Sequence, residues 1–152
     1  SWTVSYGYWN GVSLEVMFIA PFSLSSDMAI GYERTSYCAG QYTIRYGMFH
    51  PDLDKALESI SVPSWMFITA QNPLSQFTPK YNRAYNQVLQ EELVCSKLQF
   101  YKGWGIPHCD FWTPEASFLV LGVTQEAALN YKKRYHQKAV VFGEIGRPSI
   151  FL

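Results

Sequence analysis

The 152-residue chain is the size of one domain. Its twelve Lys and Arg balance twelve Asp and Glu, which excludes the basic excess that draws nucleic acid or anionic lipid through a net field. Charged residues make up 16% of it, against roughly 25% in an average soluble domain, while Phe, Trp and Tyr reach 17%, so the surface is expected to be neutral and aromatic.

Two explanations for such a surface stand side by side. Either partner chains cover part of it, since interfaces favour aromatics and deplete Lys and Glu, or tyrosine hydroxyls take the place of charges. Cys38, Cys95 and Cys109 form no close pair and predict free, mostly buried thiols rather than a disulfide framework. No apolar stretch approaches the roughly 20 residues that span a bilayer, so the chain is expected to be soluble or peripheral. Ser1 opens the sequence without a methionine, as in a precursor whose targeting peptide has been removed or in a trimmed chain. The first case places it in an organelle, the second in the cytoplasm.

In chain order, Thr3 to Trp9 and Val12 to Ile19 are β-prone runs joined by Asn10-Gly11, the pair suited to a two-residue hairpin turn. Asp27 is a cap for a short helix ending near Gly40, and Gln41 to Tyr46 alternates as a strand. His50-Pro51-Asp52 opens a helix with Leu53, Ala56, Leu57 and Ile60 on one face, Pro51 in its first turn, and Asp52 and Asp54 at its positive end. Ser64 to Ala70 lacks polar alternation and reads as a strand buried on both faces, central in the sheet.

Thr78-Pro79 starts the longest helix, to about Lys97, expected to bury Tyr81, Ala84, Tyr85, Val88, Leu89 and Leu93. A strand near Leu98 to Tyr101, a Gly-rich loop from Gly103 to Pro114 and a strand from Ala116 to Val123 follow. Thr124 caps a helix through Tyr135, and Ala139 to Phe142 and Ser149 to Leu152 close the chain around a turn at Gly146-Arg147-Pro148. This order predicts an α+β domain (mixed α/β) over residues 30–152, with a single mixed sheet, three or four helices packed on it, and an N-terminal β-hairpin extension over 1–29.

Catalytic and cofactor motifs are missing: there is no phosphate loop, dinucleotide fingerprint or nucleophile elbow. His108, Cys109 and Asp110 are donor types, but three consecutive residues seldom converge on one ion, so neither metal nor cofactor is expected. Lys132, Lys133, Arg134, His136 and Lys138 spread over more than one helical face and read as a solvated exterior.

A polar constellation is more informative. Asn72, Ser75, Asn82 and Asn86 follow the apolar strand 64–70, and Trp112-Thr113-Pro114-Glu115-Ala116-Ser117 leads into the other apolar strand. Ligands tend to bind beyond strand ends, where loops and helix N-termini supply donors, so Asn72, Ser75, Asn82, Trp112, Glu115 and Ser117 are candidates for a pocket. The same residue types routinely cap loops and helices, and that structural role ranks first.

These residues also carry a resemblance. Thr69-Ala70-Gln71-Asn72-Pro73-Leu74-Ser75, Asn82, Trp112-x-Pro114-Glu115-x-Ser117 and Gln137-x-Ala139-Val140-Val141, with Tyr32-x-x-Thr35-x-Tyr37, resemble the uncharacterised bacterial family known as domain of unknown function 3293, over about residues 30–152. The resemblance implies one compact α/β-type domain and no particular activity. The chain departs from the family pattern at Gln71, where an aromatic is usual, and at Tyr135-His136, where Phe-Gly is common.

Three functional expectations follow. The first is a non-catalytic accessory or interaction subunit of a larger protein assembly, contacting partners through Tyr6, Tyr8, Trp9 and Phe18 of the hairpin. The second is a small-ligand-binding or hydrolase-like domain with a polar pocket around Asn72 and Glu115. The third, peripheral contact with lipid or a hydrophobic cofactor, is weakest, because the hairpin has no Lys or Arg beside its apolar residues.

Overall fold

A computed structural model describes residues 3–9, 12–18, 34–71, 79–107 and 114–152. Strands β1 (Thr3–Trp9) and β2 (Val12–Phe18) form an antiparallel two-stranded sheet of their own. Trp9 stands opposite Val12, which leaves two residues to connect the strands; the Asn10-Gly11 turn itself lies outside the described residues.

Then come β3 (Ser36–Ala39), β4 (Tyr42–Ile44), α1 (Pro51–Ser59), β5 (Ser64–Ile68), α2 (Pro79–Cys95), β6 (Gln99–Ile106), β7 (Glu115–Leu121), α3 (Gln125–Arg134), β8 (Val141–Glu144) and β9 (Ile150–Phe151). Seven strands make one sheet in the order β4-β3-β6-β7-β5-β8-β9. Every pairing in it is antiparallel, so the expected mixed sheet is corrected to an antiparallel one.

The strand order explains the difference. β5 and β6 run in one direction on either side of β7, and β7 and β8 run in one direction on either side of β5. Two β-α-β crossovers, through α2 and α3, are thus interlocked as a split β-α-β unit, and each fills the gap the other leaves. Alternation of strand and helix is common to this arrangement and to a parallel sheet; only the pairing separates them.

Burial follows the two faces of the sheet. One face sets Tyr37, Trp65, Phe67, Leu119, Leu121 and Phe151 with Leu53 and Leu57 of α1. The other sets Met66, Ile68, Phe118, Val120 and Phe142 with Leu89 and Leu93 of α2 and Ala128 and Tyr131 of α3. Covered on both sides, β5 is buried at all five positions, which its unbroken apolar run predicts.

Further expectations need correction. Residues 36–39, assigned to a helix ending near Gly40, form β3, because Tyr37 and Ala39 alternate into the core while the strand pairs on both sides; Asp27 lies outside the described residues. The loop expected from Gly103 is strand up to Ile106. Its glycine is a packing requirement, since a Cβ on Gly103 would collide with the Cys38 carbonyl oxygen and with Ala39 of the neighbouring strand. Cys38 is partly buried but Cys95 is exposed.

Another concerns α2, whose buried stripe is Asn82, Asn86, Leu89 and Leu93, while Tyr81, Ala84, Tyr85 and Val88, also expected in the core, are exposed. On α1, Leu53 and Leu57 are buried as expected, and Ile60 at its C-cap is not.

Candidate functional site at the end of strands β5 and β7

The pairing of β5 with β7 ends at Ile68 opposite Phe118. Beyond it the two strands no longer bond each other directly, and side chains take over their backbone groups. Asn86 is central: its Oδ1 accepts from the Ala70 amide at 2.8 Å and its Nδ2 donates to the Ala116 carbonyl at 2.8 Å. The Thr69 hydroxyl donates to the same carbonyl at 2.7 Å and accepts from the Gln71 amide at 3.0 Å. Gln137, just past α3, donates to the Gln71 carbonyl and to that of Tyr135, both at 3.1 Å.

Burial makes these bonds necessary. An unpaired buried amide or carbonyl costs about 1–3 kcal/mol, so a helix that closes this end of the sheet must bring polar groups with it. Asn82 and Asn86, four residues apart, fall on one face of α2 and are both buried. This is why the N-terminal half of the inner stripe of α2 is amide and its C-terminal half leucine.

Of the expected pocket residues, Glu115 and Ser117 flank Ala116 at this end and Asn82 is buried on α2 one turn before Asn86, while Asn72, Ser75 and Trp112 lie outside the described residues. Ser117 is buried and its hydroxyl donates to the Glu115 carbonyl at 2.9 Å. Asn86 joins the segment after β5 to the Trp112–Ser117 segment through Ala116, whose carbonyl lies between Glu115 and Ser117. The sequence grouped Asn86 with the polar residues that follow β5 but pointed to the Tyr81, Tyr85 and Val88 face of α2 as the buried one, and only the structure shows that Asn86 faces inward and does the joining. Thr69 and Gln137 were visible solely as members of the recurring motifs.

The basic cluster is partly engaged. Arg134 forms a two-pronged ion pair with Glu92 of α2, at 2.7 and 2.9 Å, and its guanidinium lies 4.6 Å from the Tyr131 ring centre. Burial, reinforced by the Glu92 charge, pushes the Tyr135 hydroxyl up to about 12, so at neutral pH it is a donor, and it bonds Glu92. Burial lowers Lys132 from its ordinary value.

His136 has a φ of 51°, in the left-handed region that favours glycine. It follows the C-cap of α3, and the amides of His136 and Gln137 close on the carbonyls of Lys133 and Lys132. Glycine, common here in the family resembled, suits this backbone directly.

The proposed partner-contact residues Tyr6, Tyr8 and Trp9 lie on β1 and Phe18 on β2, paired with Glu15, Ser13, Val12 and Thr3 respectively. Among the described residues no group of three or more His, Cys, Asp or Glu could hold a metal ion, and His108, Cys109 and Asp110 are not among them. No helix of the described residues is long and apolar enough to cross a membrane.

No curated protein and no solved structure matches the chain. A family model does, from the last residue of β5 to the residue before β8, so that the match takes in α2, β6, β7 and α3 and is shorter than the 30–152 span of the motifs. Residues 68–140 thereby match the family described as protein of unknown function (DUF3293), the one that the motifs around Asn72 and Glu115 resemble.

Proposed function

We propose that the chain is a non-catalytic accessory or interaction subunit docked in a larger protein assembly. The observation that supports this reading best is the outer flank of α2. Tyr81 and Val88 are 55% and 54% exposed, and Tyr85, one turn after Tyr81, is exposed as well. Large apolar and aromatic side chains at i, i+4 and i+7 normally face a core, and aromatics are enriched where one protein meets another. Low overall charge fits the same role.

The test is the size of the particle in which the untagged chain leaves its native source under gentle conditions. A particle larger than 17.5 kDa is expected, and Tyr85→Glu should shift the chain toward free monomer without altering its circular dichroism. A native chain found only as a 17.5 kDa monomer sinks the proposal.

A second reading, a small-ligand-binding or hydrolase-like pocket around Asn72 and Glu115, is supported by the meeting of the two motif segments across Asn86. It requires the side chains at 72 and 115 to reach one ligand. In a chain without its native cysteines, Asn72→Cys with Glu115→Cys should be joined by a short bis-maleimide. Failure to join them removes this reading.

A further inference from the structure

We propose that His50 is a proton-controlled clasp that, when neutral, holds the loop 45–50 against the turn 146–149 and, when protonated, releases both. His50 is only 8% exposed and sits edge-on to the fully buried Trp65, with ring centres 5.9 Å apart. Its Nε2 accepts a hydrogen bond from the Arg45 amide at 3.1 Å. A protonated imidazole carries hydrogen on both nitrogens, so the same geometry would then set one donor against another.

The bond to Arg45 is the first of a chain. The Arg45 carbonyl accepts from the Ser149 hydroxyl at 2.8 Å and from the Met48 amide at 3.3 Å. Gly47, at φ 75°, donates to the Ser149 carbonyl at 3.1 Å, and the Ser149 amide returns to the Met48 carbonyl at 3.0 Å. The Gly146 amide donates to Asp54 Oδ2 at 3.0 Å, and the Asp54 amide donates to the His50 carbonyl at 2.9 Å. Tyr46 stacks on Phe151, which brings in the edge strand β9. The loop also carries Met48 and Phe49, 56% and 61% exposed, so the clasp sets the pose of an exposed apolar pair.

The charged groups on the surrounding segments are Asp52 and Asp54 on α1, Arg45 on the loop, and Glu144 and Arg147 beside the turn. Burial lowers the His50 ring below its ordinary 6.5, and the charges of Asp52 and Asp54 oppose this without overturning it. The unfolded or opened ring therefore binds the proton first. Closure is fully favoured above about pH 6.5 and weakens as the pH falls from there toward the lowered value of the closed state.

The experiment is nitrogen-resolved NMR and amide exchange on the intact chain. At neutral pH His50 should be the Nδ1–H tautomer, because Nε2 is an acceptor. Below about pH 6.5, protection of the Arg45, Gly47 and Ser149 amides should fall by up to about tenfold per pH unit, while amides within β5 keep theirs. His50→Gln should abolish that dependence. A neutral Nε2–H tautomer, or protection that stays constant while His50 titrates, overturns the clasp, and neither reading depends on the variant folding.

Discussion

The two faces of the sheet are covered by opposite means. Under α1 the contact is apolar, with Leu53 and Leu57 on Trp65, Phe67, Leu119 and Leu121. Under α2 it is apolar only beneath Leu89 and Leu93, and amide beneath Asn82 and Asn86. The difference lies in the sheet rather than in the helices. α1 covers strands whose backbone groups are paired with one another, whereas the first half of α2 covers the place where β5 and β7 have stopped pairing. A helix over paired strands needs only shape and hydrophobicity; a helix over an opened sheet end must supply hydrogen bonds.

Truncations on the two faces should separate these mechanisms, the larger loss falling on the apolar side. Leu57→Ala removes a fully buried side chain and is expected to cost about 3 kcal/mol in urea unfolding, from lost burial plus the cavity left behind. Asn86→Ala is expected to cost about 2 kcal/mol by leaving the Ala70 amide without its partner and the Ala116 carbonyl with the Thr69 hydroxyl but without the Asn86 amide. Exchange at the Ala70 amide should accelerate in Asn86→Ala beyond what its global stability explains, and in Leu57→Ala it should follow global stability alone. Equal behaviour of that amide in both variants would erase the distinction between the faces.

Gly143→Ala tests how little room the apolar side has. Gly143 pairs with Trp65, and a Cβ there would strike the indole, which is fully buried and has nowhere to move. Overpacking of this kind costs about 1–3 kcal/mol, and near-ultraviolet circular dichroism should report the displaced indole. An unchanged urea midpoint would mean that this face yields more readily than its packing implies.

What was legible in the chain divides along the same line. Wherever burial alone decides an element, the residues announce it: the unbroken run of β5, Leu53 and Leu57 of α1, and Thr124, whose hydroxyl accepts from the Ala127 amide at 3.1 Å to cap α3. Wherever a distant segment decides, they do not. Gly103 reads as a loop until the Cys38 carbonyl is known to lie against it. Tyr81, Tyr85 and Val88 read as the core face of α2 until Asn86 is known to bond the Ala70 amide and the Ala116 carbonyl where β5 and β7 have stopped pairing with each other. The antiparallel pairing is likewise a property of which strand fills which gap, and helix-strand alternation carries no record of it.

The helix ends provide the smallest and most discriminating effect. All three helices of the described residues finish in the same hydrogen-bonded closure, with Ser61, Lys97 and His136 at φ 58°, 56° and 51°, where glycine is the ordinary occupant. After α1 and α2 the next residues, Val62 and Leu98, pack against the core. After α3 that position is Gln137, whose amide bonds Gln71 and so ties the helix end to the segment leaving β5. If backbone conformation alone matters at position 136, His136→Gly should raise the urea midpoint at unchanged slope, a gain of about 0.5–1 kcal/mol from relief of the left-handed strain, net of added freedom in the unfolded chain. Lys97→Gly should give a similar gain. A loss in His136→Gly with a gain in Lys97→Gly would instead place the imidazole itself among the groups that hold the sheet end closed.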